Sequence, residues 1–216
     1  DPDAMRKLQQ RLDNVYAGCP GDILEDQALM MVVRTHHLPR ALLDALLEGF
    51  SWDAAGRRYE TIDDLHGYCA RVAGSVGAMM GVMMGVTDTR VLARACELGN
   101  AMQLTNILRD VGEDAQRGRC YLPAEDMARF GLTPQDVLTR GPELARDAGW
   151  APLMAYEVSR ARALYAAAVP GIALLDGDAQ RCAAACANGY AGILTAIEAQ
   201  QYDTLSTRAR IGRLAR

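Results

Sequence analysis

Apolar residues recur at the spacing of an α-helix along almost the whole chain, and no alternating pattern typical of a β-strand persists. Runs rich in Ala, Leu, Met, Glu and Arg, which favour helices, are separated by short stretches of Gly, Pro and Asp. The pattern predicts helices over residues 4–17, 22–37, 39–48, 61–85, 88–117, 123–130, 133–139, 143–169 and 176–201. Because the sequence contains no internal repeat and no low-complexity linker, we expect a single all-α domain over residues 1–216.

Charge and hydropathy argue against two classes of protein. The net charge of −4 provides no overall basic surface for nucleic acid, so we expect no nucleic-acid partner. The longest uncharged apolar run, residues 72–87, is shorter than the roughly 18–20 residues of a membrane span and is typical of a buried helix. The six cysteines form no C-x-x-C pair, which is consistent with a reducing cytoplasm.

The helix predicted over residues 61–85 contains four glycines, Gly74, Gly77, Gly81 and Gly85, and the last three are spaced by four. Each glycine inside a helix costs about 1 kcal/mol relative to alanine, so the fold should gain something in return. One interpretation is close packing against another helix. The other is space for a long apolar ligand, with flexible walls formed by the methionines at positions 79, 80, 83 and 84.

A line of polar side chains runs along the helix predicted over residues 88–117. At 100° per residue, Gln103, Asn106, Asp110, Asp114 and Arg117 fall in one narrow stripe beside an apolar face. Two aspartates one turn apart repel each other unless a cation lies between them. Carboxylate and amide oxygens are the ligands that Mg²⁺ prefers, and arginines bind the phosphate that the metal bridges.

The residues of this polar line allow two interpretations. It could be a solvated acidic stripe that pairs with Arg109 and Arg117. Alternatively, it could be a Mg²⁺–phosphate site. The sequence has no P-loop and no dinucleotide-binding motif, so a nucleotide is not the expected ligand and no nicotinamide cofactor is expected. A diphosphate group bound beside an apolar helix suggests an isoprenoid diphosphate.

Three segments resemble the squalene/phytoene synthase family, most closely its bacterial phytoene synthases. Residues 101–132, AMQLTNILRDVGEDAQRGRCYLPAEDMARFGL, resemble the second aspartate motif of the family. Residues 59–77, YETIDDLHGYCARVAGSVG, resemble its Tyr-Cys-x-x-Val-Ala-Gly-x-Val-Gly region. Residues 201–211, QYDTLSTRARI, resemble its C-terminal segment, with Gln201 where a glycine is common.

The resemblance implies an isoprenoid-synthase-type helical bundle around a central apolar cavity. It implies that Asp110 and Asp114 are catalytic ligands of Mg²⁺, for which Mn²⁺ could substitute, with Asn106 and Glu113 as further ligands. The side chains that it implies for substrate binding are Tyr68, Arg71, Gln103, Asn106, Arg109, Arg117, Tyr202 and Arg208.

The activity implied by the resemblance is the head-to-head (1′–1) condensation of two geranylgeranyl diphosphates to phytoene. The reaction passes through a cyclopropylcarbinyl diphosphate and is the first committed step of carotenoid biosynthesis. A C15 enzyme that makes presqualene diphosphate or squalene is an alternative. Non-catalytic alternatives are an assembly factor of the family and a helical lipid-binding module. The apolar product leads us to expect a cytoplasmic protein with peripheral contact to the inner membrane; the oligomeric state is left open.

The family also has a first D-x-x-x-D motif on an early helix, which faces the second motif. The only other D-x-x-x-D in this chain is Asp22–Asp26, which we interpret as a helix N-cap at Asp22 followed by a first-turn acid at Asp26. We therefore expect the first motif to lie upstream of Asp1. We also expect residues 1–216 alone to have little activity, and a form extended at the N-terminus to be active.

Overall fold

The computed structural model describes residues 2–212, which form an all-α fold without a β-strand in that range. The α-helices are α1 (Pro2–Ala17), α2 (Leu24–His36), α3 (Arg40–Ala54), α4 (Ile62–Cys69), α5 (Ser75–Met83), α6 (Thr89–Arg109), α7 (Val111–Gln116), α8 (Ala124–Arg129), α9 (Pro134–Arg140), α10 (Trp150–Ile172) and α11 (Gly177–Ala199). A π-helical turn (Ala70–Gly74) joins α4 to α5, and a 3₁₀ turn (Gly141–Arg146) follows α9. The predicted all-α class is confirmed.

Helix α6 lies at the centre of the fold and packs against α5, α10 and α11. Its apolar face contributes Leu104 and Leu108 to the core, where both are fully buried. They belong to the same core cluster as Trp150 and Leu153 of α10. Each such side chain contributes about 1.5–3 kcal/mol by leaving water. Because α6 is held on several sides, the polar side chains at its C-terminal end have a rigid support.

The segment predicted as one helix over residues 61–85 is divided by the π turn. It begins as expected: Thr61 and Asp64 form a capping box, with the Asp64 amide 3.2 Å from the Thr61 hydroxyl. The Ser75 hydroxyl donates to the Arg71 carbonyl at 2.6 Å, one of the side-chain-to-backbone contacts that disturb helices. The segment ends with Gly85 at φ +83°, a conformation that favours glycine.

The helix glycines allow α5 and its π turn to approach α6 at backbone distance. A Cβ added to Gly77 would lie 2.2 Å from the Ala95 carbonyl oxygen, and one added to Gly99 would lie 2.3 Å from that of Ala73. A Cβ at Gly74 would lie 2.7 Å from Asn100 Oδ1. Close helix packing is therefore the main use of these glycines. Gly77 has a second role as well, because it also lines a cavity.

The two aspartates of the Asp22–Asp26 segment differ from each other. Helix α2 begins at Leu24 with Ile23 as its N-cap residue, so the prediction that Asp22 caps this helix is wrong. Asp26 lies in the first turn as predicted and is buried. It accepts two hydrogen bonds of 2.8 Å from Arg11, which lowers the pKa of the Asp26 carboxyl. This ion pair joins α1 to α2.

Across residues 2–212, no helix combines the length and apolar character that a membrane span needs. The segment over residues 72–87 is instead divided between the π turn, α5 and the turn that leads to α6.

Candidate active site

A largely apolar cavity of about 300 Å³ lies between α5, α6, α10 and α11. Residues of α6 from Val91 to Asn106 line it, which corresponds to about 22 Å along the helix axis. Met80 and Met84 line it as predicted, whereas Met79 and Met83 do not. Its volume lies at the lower end of the range for ligand pockets. The other lining residues include Val72, Ala73, Val76, Gly77, Gly81, Leu98, Met102, Ala168, Ile172, Leu175 and Tyr190.

The predicted polar line begins inside this cavity and continues past its end. Gln103 and Asn106 line the cavity, and Asp110 and Asp114 follow one and two turns later. The prediction of one helix over residues 88–117 is wrong at Asp110, whose φ of −103° and ψ of 12° separate α6 from α7. Hydrogen bonds still link the Asp110 amide to the Asn106 carbonyl (2.9 Å) and the Asp114 amide to the Asp110 carbonyl (2.8 Å). The i, i+4 succession of the polar residues therefore survives the break.

Two guanidinium groups hold the Asp110 carboxylate. Arg109 donates to it at 2.7 and 2.5 Å, and Arg208 donates at 2.7 and 3.3 Å. Burial alone would raise the pKa of Asp110, but these hydrogen bonds outweigh it and lower the pKa. Arg208 Nε also lies 3.6 Å from the Glu113 carboxylate. Asp110 is therefore ionised at neutral pH in the folded protein.

Asp114 has a different environment from Asp110. Its nearest cationic partner is Arg117, at 4.0 Å, and the Arg117 side chain is largely exposed. Burial raises the pKa of Asp114 to about 6, and the negative charge of Asp110 contributes to the rise. A second carboxylate with only a weak cationic partner, close to an ionised one, is an arrangement that a bound cation would stabilise.

The oxygen atoms of the polar line fit the part of a Mg²⁺ site that a protein supplies. Asn106 Oδ1 is buried and accepts no hydrogen bond from the protein, although buried polar atoms are normally paired. Within the described part of the chain, no three Asp, Glu, His or Cys side chains cluster closely enough to hold an ion by themselves. One or two carboxylates, an amide oxygen and the oxygens of a diphosphate form the kind of set that Mg²⁺ accepts.

The segment that follows α11 packs over the break between α6 and α7. Gln201 and Tyr202 have φ values of 55° and 64°, left-handed conformations that side chains seldom adopt. This geometry gives a physical reason for the glycine that is common in the family where this chain has Gln201. The Gly112 amide donates to the Thr204 carbonyl at 3.2 Å, and a Cβ at Gly112 would lie 2.6 Å from the Leu205 carbonyl oxygen. This contact brings Arg208 to Asp110.

The remaining predicted substrate contacts have partners outside the polar line. Tyr68 is buried and its hydroxyl donates to Asp53 at 2.9 Å. Arg71 lies over the Trp52 ring, with its guanidinium carbon 4.2 Å from the ring centroid, and forms a 2.9 Å ion pair with Glu48. The Tyr202 carbonyl accepts from the Trp150 indole at 2.9 Å. Substrate contact by these three side chains stays a prediction.

A second, polar cleft was not predicted from the sequence. Its lining includes Asp53, Arg57, Arg58, Arg119 and Tyr121. Arg119 follows Asp114 closely, and its amide donates to the Asp114 carbonyl at 2.9 Å. The Arg-Arg pair immediately before Tyr59 and the Arg119-Cys-Tyr121 sequence could have indicated an anion site, but their spacing matches no general motif. The cleft adds positive charge beside the carboxylates.

Comparisons with known proteins show which proteins this chain is similar to. Phytoene synthase of Rhodobacter capsulatus is 44% identical over 206 residues, which are 95% of this chain and 60% of that protein. The 15-cis-phytoene synthase of a Synechocystis strain is 37% identical over 97% of this chain and 64% of that protein. This chain therefore spans about 60% of the length of these curated relatives.

Two solved structures have the same fold. A dehydrosqualene synthase solved in complex with a ligand superposes with a TM-score of 0.87 at 31% identity, over 97% of this chain and 72% of that one. The squalene synthase HpnC of Alicyclobacillus acidocaldarius superposes with a TM-score of 0.86 at 27% identity, over 93% and 74% of the two chains. The family model "Squalene/phytoene synthase" matches residues 1–215. The helical fold agrees with these comparisons, and the chain belongs to the squalene/phytoene synthase family.

Proposed function

We propose that this protein condenses two geranylgeranyl diphosphates head to head to give phytoene, by way of a cyclopropylcarbinyl diphosphate. In the first step diphosphate leaves the allylic carbon of one molecule, the double bond of the second molecule attacks that carbon, and loss of a proton closes the cyclopropane ring. In the second step the remaining diphosphate leaves, and rearrangement with loss of another proton gives phytoene. The observation that carries this proposal is the continuous passage from an apolar cavity along α6 to a line of oxygen ligands at one end of the helix. A prenyl diphosphate has the same two parts, an apolar chain and a polyanionic head.

The side chains of the polar line would have different roles in binding the metal ion at the diphosphate. Asp110 is kept ionised by Arg109 and Arg208, and Asp114 is a carboxylate with only a weak cationic partner. Asn106 presents a buried oxygen without a protein donor. We propose that Asp110, Asp114 and Asn106 hold Mg²⁺, with Glu113 as a further ligand. When bound, Mg²⁺ would neutralise charge on the diphosphate leaving group.

The arginines around the polar line provide donors for phosphate oxygens. Arg117 is largely exposed and only weakly paired, so its guanidinium is free to turn toward an anion. Arg57, Arg58 and Arg119 line the polar cleft next to the carboxylates. Planar guanidinium groups bind phosphate through paired hydrogen bonds, which fixes the orientation as well as the charge. Gln103, at the end of the apolar cavity, would contact the substrate where its chain meets its head.

The apolar cavity would protect the cationic stages of the reaction from water. Its walls include Val72, Leu98 and Met102, whose side chains offer no nucleophilic oxygen. Water that reached an allylic cation would add to it and end the reaction as an alcohol. The polarisable sulfur of Met80 contacts the ligand space without adding a competing nucleophilic oxygen.

Two comparisons bear on the length of the substrate. The curated relatives with 43% and 44% identity are called phytoene synthase, which favours a C20 substrate. The solved structures called squalene and dehydrosqualene synthase are 27% and 31% identical, and they keep a C15 substrate as the second candidate. We propose the C20 activity because the more similar relatives carry it in their names.

Contact with a membrane surface belongs to the same proposal. Val76 and Met80 line the cavity and are nevertheless 39% and 45% exposed. For an apolar hydrocarbon product, passing from this wall into lipid is more favourable than passing into water. We therefore propose peripheral membrane contact during product release, with the protein in the cytoplasm.

Product analysis tests the proposal. The complete gene product, offered C15 and C20 prenyl diphosphates separately with Mg²⁺, should convert the C20 substrate to phytoene, as identified by mass spectrometry. Asp110→Asn should abolish that product while the helical circular dichroism signal is retained. Exclusive conversion of the C15 substrate would replace the proposal by its second candidate. Absence of a condensed product from either substrate would refute it and favour a binding or assembly role.

A further inference from the structure

Asp53, at the C-terminal end of α3, accepts hydrogen bonds from two tyrosines that are distant in sequence. The Tyr68 hydroxyl donates to Asp53 Oδ2 at 2.9 Å, and the Tyr121 hydroxyl donates to Asp53 Oδ1 at 2.7 Å. Each carboxylate oxygen therefore receives one phenol. The carboxylate joins α3, α4 and the loop before α8 at a single point.

The rings that carry these hydroxyl groups are fixed by stacking. The centroids of Tyr68 and Tyr121 are 5.3 Å apart, and Tyr59 packs against them at 5.4 and 6.1 Å, respectively. Tyr59 and Tyr68 are almost fully buried, with 1% and 4% exposure. Because the rings cannot move easily, Asp53 determines the direction in which each O–H bond points.

A chain of hydrogen bonds connects Asp53 to Arg119, which lies beside Asp114. Arg119 Nη1 lies 3.5 Å from the Tyr121 hydroxyl oxygen, to which it donates, and Tyr121 donates in turn to Asp53. The Arg119 amide is bonded to the Asp114 carbonyl at 2.9 Å. The guanidinium that lies near the carboxylates is thus tethered by a relay that ends at Asp53.

The chemistry of the donors fixes the direction of this relay. A guanidinium can only donate, an ionised carboxylate can only accept, and a phenol does both. With Asp53 at the end, every group has a matching partner. An asparagine in its place would accept a hydrogen bond from one phenol through its amide oxygen but would present its N–H donors to the other phenol. That tyrosine hydroxyl would then have to accept a hydrogen bond instead of donating one. The orientation of Arg119 would no longer be determined.

We infer that Asp53 is a positioning residue that orders Tyr68, Tyr121 and Arg119 for a diphosphate bound beside Asp114. This role rests on the proposed function, since a prenyl diphosphate is the expected source of that anion. Burial is the largest cause that raises the pKa of Tyr121 to about 12, and the hydrogen bond to Asp53 adds to it. Both phenols accordingly stay protonated and neutral while they hold Arg119.

Inorganic pyrophosphate is a probe that separates this role from the prenyl chemistry. In calorimetric titrations of the complete gene product with Mg²⁺, Asp53→Asn should weaken pyrophosphate binding about tenfold. In the C20 assay it should lower kcat by about 10²-fold, the usual effect of a small misplacement of a contact group. The exposed Asp63 of α4 provides the matched control, because Asp63→Asn removes the same charge outside the relay. That variant should behave as wild type in both measurements.

A second variant keeps the test decisive if Asp53→Asn does not fold. Tyr121→Phe retains the stacked ring and removes the hydroxyl that links Arg119 to Asp53, so it should weaken pyrophosphate binding to a similar extent. If wild type makes no condensed product but both variants lose pyrophosphate affinity, the proposed function fails and the positioning role stands. If wild type makes phytoene and both variants match it in affinity and kcat, the positioning role is overturned.

Discussion

Replacing Gly77 with alanine tests the contact that brings α5 against α6. The added Cβ would lie 2.2 Å from the Ala95 carbonyl oxygen and 2.9 Å from its carbonyl carbon, both backbone atoms of the facing helix. Because a backbone cannot swing aside as a side chain can, the two helices must move apart. The Cβ–oxygen distance has to grow by about 0.8 Å to reach 3.0 Å, below which Cβ contacts are essentially absent in proteins.

The expected loss can be set against a gain from helix propensity. Overpacking of this kind costs about 1–3 kcal/mol, whereas alanine is favoured over glycine in a helix by about 1 kcal/mol. Gly77→Ala should therefore lower the free energy of unfolding by up to about 2 kcal/mol. For a chain of this size that corresponds to a fall in Tm of up to about 8 °C.

The matched control is Gly189→Ala, within α11. A Cβ at Gly189 would meet no atom within 4 Å, so this change gains the propensity of alanine without a clash. It should raise the free energy of unfolding by up to about 1 kcal/mol. Both variants would be compared with wild type by urea denaturation followed by circular dichroism. If Gly77→Ala is as stable as Gly189→Ala, close packing is not the reason for the glycine at position 77.

Three further changes test other parts of the structure. Burial raises the pKa of the Glu157 carboxyl from its ordinary value of 4.5 to about 7, so folding favours the protonated form. The free energy of unfolding should therefore fall as the pH rises from 4.5 to 7. Urea denaturation should show that over this range the stability of wild type falls by about 3 kcal/mol more than that of Glu157→Gln, and equal pH dependence in the two proteins would contradict this expectation. Asn106→Leu removes a buried oxygen that has no hydrogen-bond partner in the protein, so thermal unfolding should show equal or higher stability. Activity should nevertheless fall by at least about 10²-fold. A destabilised variant would show instead that Asn106 has a structural role. Arg208→Gln removes one of the two cations at Asp110, so it should cost less than about 1 kcal/mol in stability but lower activity about tenfold. The control Arg210→Gln, at an exposed site, should change neither stability nor activity. Equal activity in the two variants would show that the contact between Arg208 and Asp110 does not matter for the reaction.

Local patterns were sufficient to predict the all-α class and the alignment of the polar line, because both depend on residues that are close in sequence. Gln103, Asn106, Asp110 and Asp114 are three or four positions apart, so helix geometry alone brings them together. The break at Asp110 was missed because it accompanies a tertiary contact, the approach of the Thr204–Leu205 backbone to Gly112. The hydrophobic pattern of α6 gives no indication of that contact.

The relay at Asp53 could not be predicted for a related reason. Asp53 is 15 residues from Tyr68 and 68 residues from Tyr121, so no helical or strand period connects the three. Tyr68 itself was identified only through its resemblance to a family segment, and its partner lay outside that segment. The two interpretations of the glycines were also not exclusive, because Gly77 both contacts α6 and lines the cavity.

The proposed function requires the polar line and the cavity together to bind one prenyl diphosphate with Mg²⁺. The most direct measurement is calorimetric titration of the complete gene product with a non-hydrolysable C20 thiodiphosphate, with and without Mg²⁺, in wild type and in Asp114→Asn. We expect tight binding that requires Mg²⁺ and weakens at least about tenfold in the variant, since one of two carboxylate ligands is lost. Binding of equal strength without Mg²⁺, or unchanged in Asp114→Asn, would contradict the proposal.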